Sequence, residues 1–164
     1  MLILRGIHGS FPGGQYWKDG KEHYVPNGES HDYPKGALDE PSALKYASLK
    51  GYDGLVLDVS GETGETSSQT LRALDAIHND SSITALYGFS GGGYNVRHIL
   101  DKLTPTERAR IKLVVVLGAP GNPSSMYDAS LYKGGNWEVV YKTDPPPKLY
   151  YHMDGPRYLL QHPN

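Results

Sequence analysis

The stretch LYGFSGGGYNV, residues 86–96, joins an apolar run to a helical pattern through four glycines. The run that enters it, ITALYG at residues 83–88, is typical of a strand that is buried on both faces. Beyond the glycines, apolar residues follow the i, i+3, i+4, i+7 spacing of a helix with one face in a core: Val96, Ile99, Leu100 and Leu103. A strand that leads directly into a helix is the repeating unit of parallel sheets. This stretch therefore predicts an α/β fold.

Four further apolar runs bring the number of predicted strands to five. They are residues 2–7, 54–59, 112–118 and 137–142. Helical patterns separate most of the strands, at residues 41–50 and 67–78, after the glycines, and from Pro105. We therefore predict a three-layer α/β/α fold with a mostly parallel sheet of about five strands. The 164 residues show no change of composition along the chain, so we interpret residues 1–164 as a single domain.

The composition argues against several classes of function. The 16 basic and 18 acidic side chains give a formal net charge of −2. Because the basic residues are scattered along the chain, we expect no nucleic-acid partner. The absence of cysteine excludes disulfides and a thiolate nucleophile. No apolar stretch predicts a signal peptide or a membrane span, so we expect a cytoplasmic protein without membrane contact.

Ser90 follows the third predicted strand, at the sheet edge where α/β proteins place their chemistry. It lies in the pattern G-x-S-x-G, whose glycines, Gly88 and Gly92, would tolerate the strained turn that lifts a serine hydroxyl out of the sheet. The N–H of Gly91 and the dipole of the following helix would both favour negative charge there. We therefore predict that Ser90 is a nucleophile. The structural alternative is a turn whose glycines serve close packing alone.

With GFSGG at residues 88–92 and HGSFPGG at residues 8–14, the chain resembles the α/β-hydrolase family. The resemblance implies a serine hydrolase whose oxyanion hole is formed by the N–H groups of Ser10 and Gly91. It also implies that His8 ends the strand beside the nucleophile strand, where it would support the turn and border the substrate. Five strands are fewer than the usual eight of that family. The expected fold is therefore a minimal version without a cap domain.

The family's chain order of serine, acid and histidine places the general base after the nucleophile. Two histidines follow the elbow helix, His152 and His162. We favour His152 as the base, because His162 lies close to the end of the sequence, where fraying is expected. His98 falls within the helix that follows Ser90, and we interpret it as a surface residue.

The predicted acid is Asp144, which follows the last strand in YKTDPPP. Its position corresponds to the carboxyl edge of the sheet, and the prolines after it would stiffen the turn that presents it. Asp128, in the loop after the fourth strand, is the alternative acid. Asp154 precedes Gly155 and is more typical of a helix cap.

Residues 11–36 are too polar and too rich in glycine and proline for a core element, so we predict a long loop near the active site. Its aromatic residues, including Tyr16 and Trp17, would border the pocket and contact an apolar or sugar-like acyl substrate of low molecular weight. These rings could equally serve only to hold the loop in place. The residues on this loop that could bind a metal have no convergent spacing, so no metal site is predicted.

Two other classes of function stay open. A glycine-rich turn at a helix start can bind a phosphate or nucleotide, although no Lys-Ser or Lys-Thr pair follows it here. A non-catalytic ligand-binding module on a hydrolase-like scaffold would keep the serine without a working base. Acyl transfer to a serine requires no metal or organic cofactor, and none is predicted. The oligomeric state is not indicated by the sequence.

Overall fold

The computed structural model describes residues 1–7, 15–18, 21–24, 38–119, 129–142 and 155–164, and at 15–18 and 21–24 it describes the backbone only. All five predicted strands are present in this part of the chain. They are β1 (Leu2–Leu4), β4 (Leu55–Leu57), β5 (Ala85–Phe89), β6 (Leu113–Leu117) and β7 (Glu138–Lys142). A separate pair consists of β2 (Gln15–Lys18) and β3 (Lys21–Tyr24).

Four of the described helices lie where the sequence predicts them: α1 (Glu40–Leu49), α2 (Ser68–Asn79), α3 (Gly91–Lys102) and α4 (Pro105–Arg110). The described ranges also contain α5 (Gly155–Gln161) and a short 3-10 helix at Ala129–Tyr132. Several begin at side-chain caps: Ser67 accepts a hydrogen bond from the N–H of Thr70, and Thr104 and Glu107 form a capping box. None of the helices in the described ranges has the length and apolar character needed to cross a bilayer.

The five strands form one sheet in the order β4-β1-β5-β6-β7, and every neighbouring pair is parallel. Strand β5, which precedes Ser90, is therefore central, with β1 on one side and β6 on the other. Because all strands run in the same direction, their carboxyl ends meet at one edge. Ser90 lies at that edge, immediately after β5.

Alternate side chains of the central strands enter two different cores. On β5, Leu86 packs with residues of α2 and α3, whereas Tyr87 and Phe89 pack with residues of α1 and α5. On β1, Leu2 and Leu4 point to the first core. The sheet is covered on both faces, and the three-layer α/β/α prediction is confirmed. Because both faces of the sheet are buried, the strand sequences are continuous apolar runs and do not alternate between apolar and polar residues.

Part of the predicted long loop over residues 11–36 forms a pair of short strands. Strands β2 and β3 pair antiparallel, with Tyr16 opposite His23 and Trp17 opposite Glu22 in register. The dipeptide Asp19-Gly20 between them is a strong sequence signal for a two-residue hairpin turn. The polar composition of the segment concealed this signal.

Candidate active site

Ser90 has a backbone conformation that L-amino acids rarely adopt. Its φ is 55° and its ψ is −120°, and it is the only non-glycine residue with positive φ in the described ranges. Such strain costs about 1–3 kcal/mol and persists only where the surroundings impose it, most often at functional sites. The strand, sharp turn and helix that a nucleophile elbow requires are therefore present at Ser90.

The glycines around Ser90 allow an unusually close approach between the start of α3 and the sheet. A Cβ atom on Gly91 would lie 2.1 Å from the carbonyl oxygen of Gly61, and one on Gly92 would lie 2.6 Å from that of Leu4. A Cβ atom on Gly88 would lie 2.6 Å from the carbonyl oxygen of Gly92. Real Cβ atoms do not approach backbone oxygens so closely. Close packing is thus sufficient to explain the glycines.

The main chain of Ser90 is hydrogen-bonded on both sides. Its N–H donates to the carbonyl oxygen of Leu117 at 2.9 Å, and its own carbonyl oxygen accepts from the N–H of Gly93 at 2.8 Å. The first bond continues the pairing of β5 with β6 beyond the strand. The side chain of Ser90 forms no capping hydrogen bond to α3 and is only partly buried. Its hydroxyl is therefore not engaged in starting the helix.

The helix that follows Ser90 favours negative charge at this point. The first N–H groups of any α-helix have no acceptor within the helix, and the helix dipole places partial positive charge there. In α3 these groups include the N–H of Gly91, the predicted oxyanion donor. Ile7, the last described residue before the segment of His8 and Ser10, lies beside Gly91: its Cγ1 would be 3.0 Å from a Cβ on that glycine.

Most of the other predicted site residues lie outside the described residues. They are His8, Ser10, Asp128, Asp144 and His152. Tyr16 and Trp17 belong to β2, of which only the backbone is described. The rejected histidine His162 follows α5, and its ring lies 4.5 Å from that of Tyr158.

The described segments that flank Asp144 and His152 end at the same edge as Ser90. Lys142, two residues before Asp144, is the register partner of Leu117, and its carbonyl oxygen accepts a hydrogen bond from the N–H of Gly118 at 2.8 Å. Gly155, three residues after His152, begins α5. A Cβ atom on Gly155 would lie 3.4 Å from Cε2 of Phe89, the residue before Ser90.

Sequence reasoning missed two buried amides beside the candidate nucleophile, Gln69 on α2 and Asn95 on α3. Both are 0% exposed, and Asn95 Nδ2 donates to Gln69 Oε1 at 2.8 Å. Gln69 Nε2 also donates to the carbonyl oxygens of Arg5 and Val59, at 2.9 and 3.1 Å. No periodicity in the sequence distinguishes these amides from surface amides, and only packing shows that they are buried.

Asn95 fixes the loop between β4 and α2. Its Nδ2 donates to the carbonyl oxygen of Glu62 at 2.9 Å, and its Oδ1 accepts from the N–H of Gly64 at 3.1 Å. The same loop is bonded to the end of β1, because the N–H of Gly61 donates to the carbonyl oxygen of Gly6 at 2.8 Å. Since Gly61 also packs against Gly91, the amide pair holds together the segments that surround Ser90.

Charged residues near this edge are paired with one another. Arg5, just after β1 and 7% exposed, donates to Asp58 Oδ1 at 2.7 Å and to Glu40 Oε1. These pairs join β1 to the segment after β4 and to α1. Within the described ranges, no group of three or more His, Asp or Glu residues is arranged to hold a metal ion.

No protein-family model, curated protein or solved structure matches this chain in the comparisons with known proteins. The resemblance to α/β-hydrolases therefore depends on the motifs and on the geometry around Ser90. The parallel sheet by itself supports many unrelated activities.

The strain at Ser90 predicts an unusual order of stability for two variants. At most positions a variant with glycine is less stable than the variant with alanine, because glycine loses more backbone entropy on folding. At Ser90 the positive φ reverses this order, and we expect Ser90→Gly to exceed Ser90→Ala by about 1 kcal/mol in the free energy of unfolding. Urea denaturation measures the difference.

Ser48, an exposed residue of α1, is the matched control. There we expect the ordinary order, with Ser48→Gly less stable than Ser48→Ala by about 0.5–1 kcal/mol. The same order at both positions would show that Ser90 is not strained.

The amide pair predicts a large loss of stability for Asn95→Ala. The substitution leaves the carbonyl oxygen of Glu62 and the N–H of Gly64 without their partner, so we expect a loss of about 3 kcal/mol in the free energy of unfolding. The exposed control Asp75→Ala on α2 should change stability by less than about 0.5 kcal/mol. Equal effects of the two substitutions would contradict the role of Asn95.

Proposed function

We propose that the protein is a serine hydrolase that cleaves a carboxylic ester, thioester or related acyl bond through an acyl-enzyme on Ser90. The observation that carries the proposal is the strained backbone of Ser90 at the junction of β5 and α3. The proposal rests on the site, because no relative supplies an activity.

The backbone strain at Ser90 distinguishes a catalytic role of this serine from a role in packing alone. Close packing explains why glycine occupies three positions around Ser90, those of Gly88, Gly91 and Gly92. It does not explain a serine at the one position of the turn where φ is positive. A glycine there would make the same turn without strain. A serine in this conformation is consistent with a requirement for its hydroxyl.

The neighbourhood of β1 and β5 supports the predicted oxyanion hole. β1 is hydrogen-bonded to β5, with Leu4 opposite Gly88, as the resemblance to α/β-hydrolases implies. The chain after β1 brings Ile7 next to Gly91, and Ser10 follows three residues later. The N–H groups of Gly91 and Ser10 are the proposed donors to the oxyanion.

Chain length supports the proposed base and acid. An extended chain spans at most about 3.6 Å per residue, so the Cα of His152 lies within about 11 Å of that of Gly155. By the same limit, the Cα of Asp144 lies within about 7 Å of that of Lys142. Lys142 and Gly155 both lie at the carboxyl edge of the sheet, as Ser90 does. We therefore propose that the side chains of Ser90, His152 and Asp144 form a triad.

In the proposed reaction, the Oγ of Ser90 attacks the acyl carbon while His152 accepts the serine proton. The N–H groups of Gly91 and Ser10 stabilise the negative charge that develops on the acyl oxygen. His152 then transfers the proton to the leaving alcohol or thiol, and the acyl-enzyme forms. Asp144 holds the imidazole in the required tautomer. Water, deprotonated by His152, releases the acid and restores Ser90.

Covalent labelling tests the nucleophile directly. We expect an aryl fluorophosphonate to label the wild-type protein at Ser90 and to leave Ser90→Ala unlabelled, as read by intact-protein and peptide mass spectrometry. Hydrolysis of p-nitrophenyl esters should fall by about 10⁴-fold or more in Ser90→Ala, because the attacking group is lost. The exposed control Ser48→Ala should retain both properties. A wild-type protein that is not labelled and hydrolyses no faster than Ser90→Ala would refute the hydrolase function.

The identity of the acid is tested by comparing Asp144→Asn with Asp128→Asn. We expect kcat to fall by about 10⁴-fold in Asp144→Asn, because the histidine loses the partner that sets its tautomer. The second variant should remain close to the wild type. A larger loss in Asp128→Asn would make that residue the acid and leave Ser90 as the nucleophile.

A further inference from the structure

A cleft lies between α3 and the loop that follows β4, and the described residues that line it include none of those assigned to the triad or the oxyanion hole. Its volume is about 280 Å³, and it is lined by Thr63, Gly64, Tyr94 and His98. The histidine interpreted from the sequence as an ordinary surface residue is thus part of a concave surface.

The wall of this cleft is held in place by the buried amides. Asn95 accepts a hydrogen bond from the N–H of Gly64, and Thr70 Oγ1 donates to the carbonyl oxygen of the same glycine at 2.7 Å. In the same loop Gly61 packs on Gly91, and Glu65 Oε1 contacts Lys102 Nζ of α3 at 3.3 Å. The loop on this side of the cleft is therefore held by hydrogen bonds within the protein.

The cleft is aligned with the candidate nucleophile. Tyr94 and His98 are four residues apart and lie in one row along α3, and Ser90, the residue before the helix, precedes Tyr94 by four residues. With a rise of 1.5 Å per residue, Tyr94 is about 6 Å and His98 about 12 Å along the helix from Ser90. A substituent of a substrate bound at Ser90 has to cross one helical turn to enter the cleft.

The lining indicates the chemistry of the ligand. Thr63 and His98 supply a hydroxyl and an imidazole that can donate or accept hydrogen bonds, and Tyr94 supplies a flat aromatic ring. Gly64 leaves its side of the cleft open, because a Cβ atom there would have no neighbour closer than 3.8 Å. None of the described residues that line the cleft is aliphatic or permanently charged, which disfavours a long acyl chain and an anionic group.

We propose that this cleft binds the alcohol part of the substrate, and that this part is a neutral ring with several hydroxyl groups, such as a pyranose. Its volume is slightly below the range of about 300–1,000 Å³ for drug-sized ligands, which suits a single ring. The ring stacks on Tyr94, and its hydroxyls bond to Thr63 and His98. The assignment to the alcohol part depends on the proposed hydrolase function, whereas binding of the ring does not.

Binding is measured without catalysis on Ser90→Ala, by NMR titration with methyl glucoside. We expect shifts in the signals of Thr63 and Tyr94 and in the imidazole of His98, with a loss of affinity of about tenfold in the double variant Thr63→Val/His98→Ala. Arg97→Ala, one residue from His98 on α3, is the control and should bind like its parent. Absence of shifts at the cleft, or equal affinity in the double variant, would overturn the proposal.

Specificity is measured on the otherwise unmodified protein with two acetate esters, O-acetylated methyl glucoside and ethyl acetate. We expect kcat/KM to favour the glucoside by about tenfold or more, and the preference to disappear in Thr63→Val/His98→Ala. Hydrolysis of both esters without preference would overturn the cleft proposal and leave the hydrolase intact. Glucoside binding at the cleft without hydrolysis of either ester would support the ring site and refute the hydrolase function.

Discussion

The close contact between the first turn of α3 and the ends of the strands is the constraint on which the candidate site depends. Gly91 and Gly92 lie against the backbone oxygens of Gly61 and Leu4 at distances that leave no room for a Cβ atom. This contact places the start of the helix against the end of β1 and the loop after β4. A single residue, Ser90, connects β5 to α3, and its φ is positive. The strain is offset by the packing that the glycines permit.

The strand order then determines which other segments reach this point. Because β1 and β6 lie on either side of β5 and all strands are parallel, the chain after each of them emerges next to Ser90. The segments that carry the predicted oxyanion donor, acid and base are distant in sequence. We propose that they meet at this edge, because parallel strands end on the same side of a sheet.

The buried amides Gln69 and Asn95 have a different role. Polar groups in a core are costly unless every hydrogen-bonding group is satisfied, and the partners described above engage both amide groups. The result is a loop after β4 that is tied to β1, α2 and α3 together. A loop held in this way can serve as one wall of a cleft, and the cleft along α3 is formed by it.

The sequence by itself determined the fold class and the position of the nucleophile candidate. Whether a residue of a strand or helix is buried determines whether it is apolar, so burial appears in the sequence as a pattern. The apolar runs of strand length and the i, i+3, i+4, i+7 spacing after Gly93 are such patterns. The motif around Ser90 was recognisable because its glycines are local requirements of the turn. The hairpin of β2 and β3 was within reach of the sequence through Asp19-Gly20, but the polar composition of the segment outweighed that signal.

Only the tertiary structure decided the strand order, the burial of Asn95 and the place of His98 in a cleft. Each of these depends on contacts between residues far apart in the chain, such as the bond from the N–H of Gly64 to Asn95. Periodicity within one helix shows which face is apolar, but it does not show what a polar residue on that helix meets. For the same reason the sequence could indicate Ser90 as a candidate nucleophile but could not identify the surface beside it.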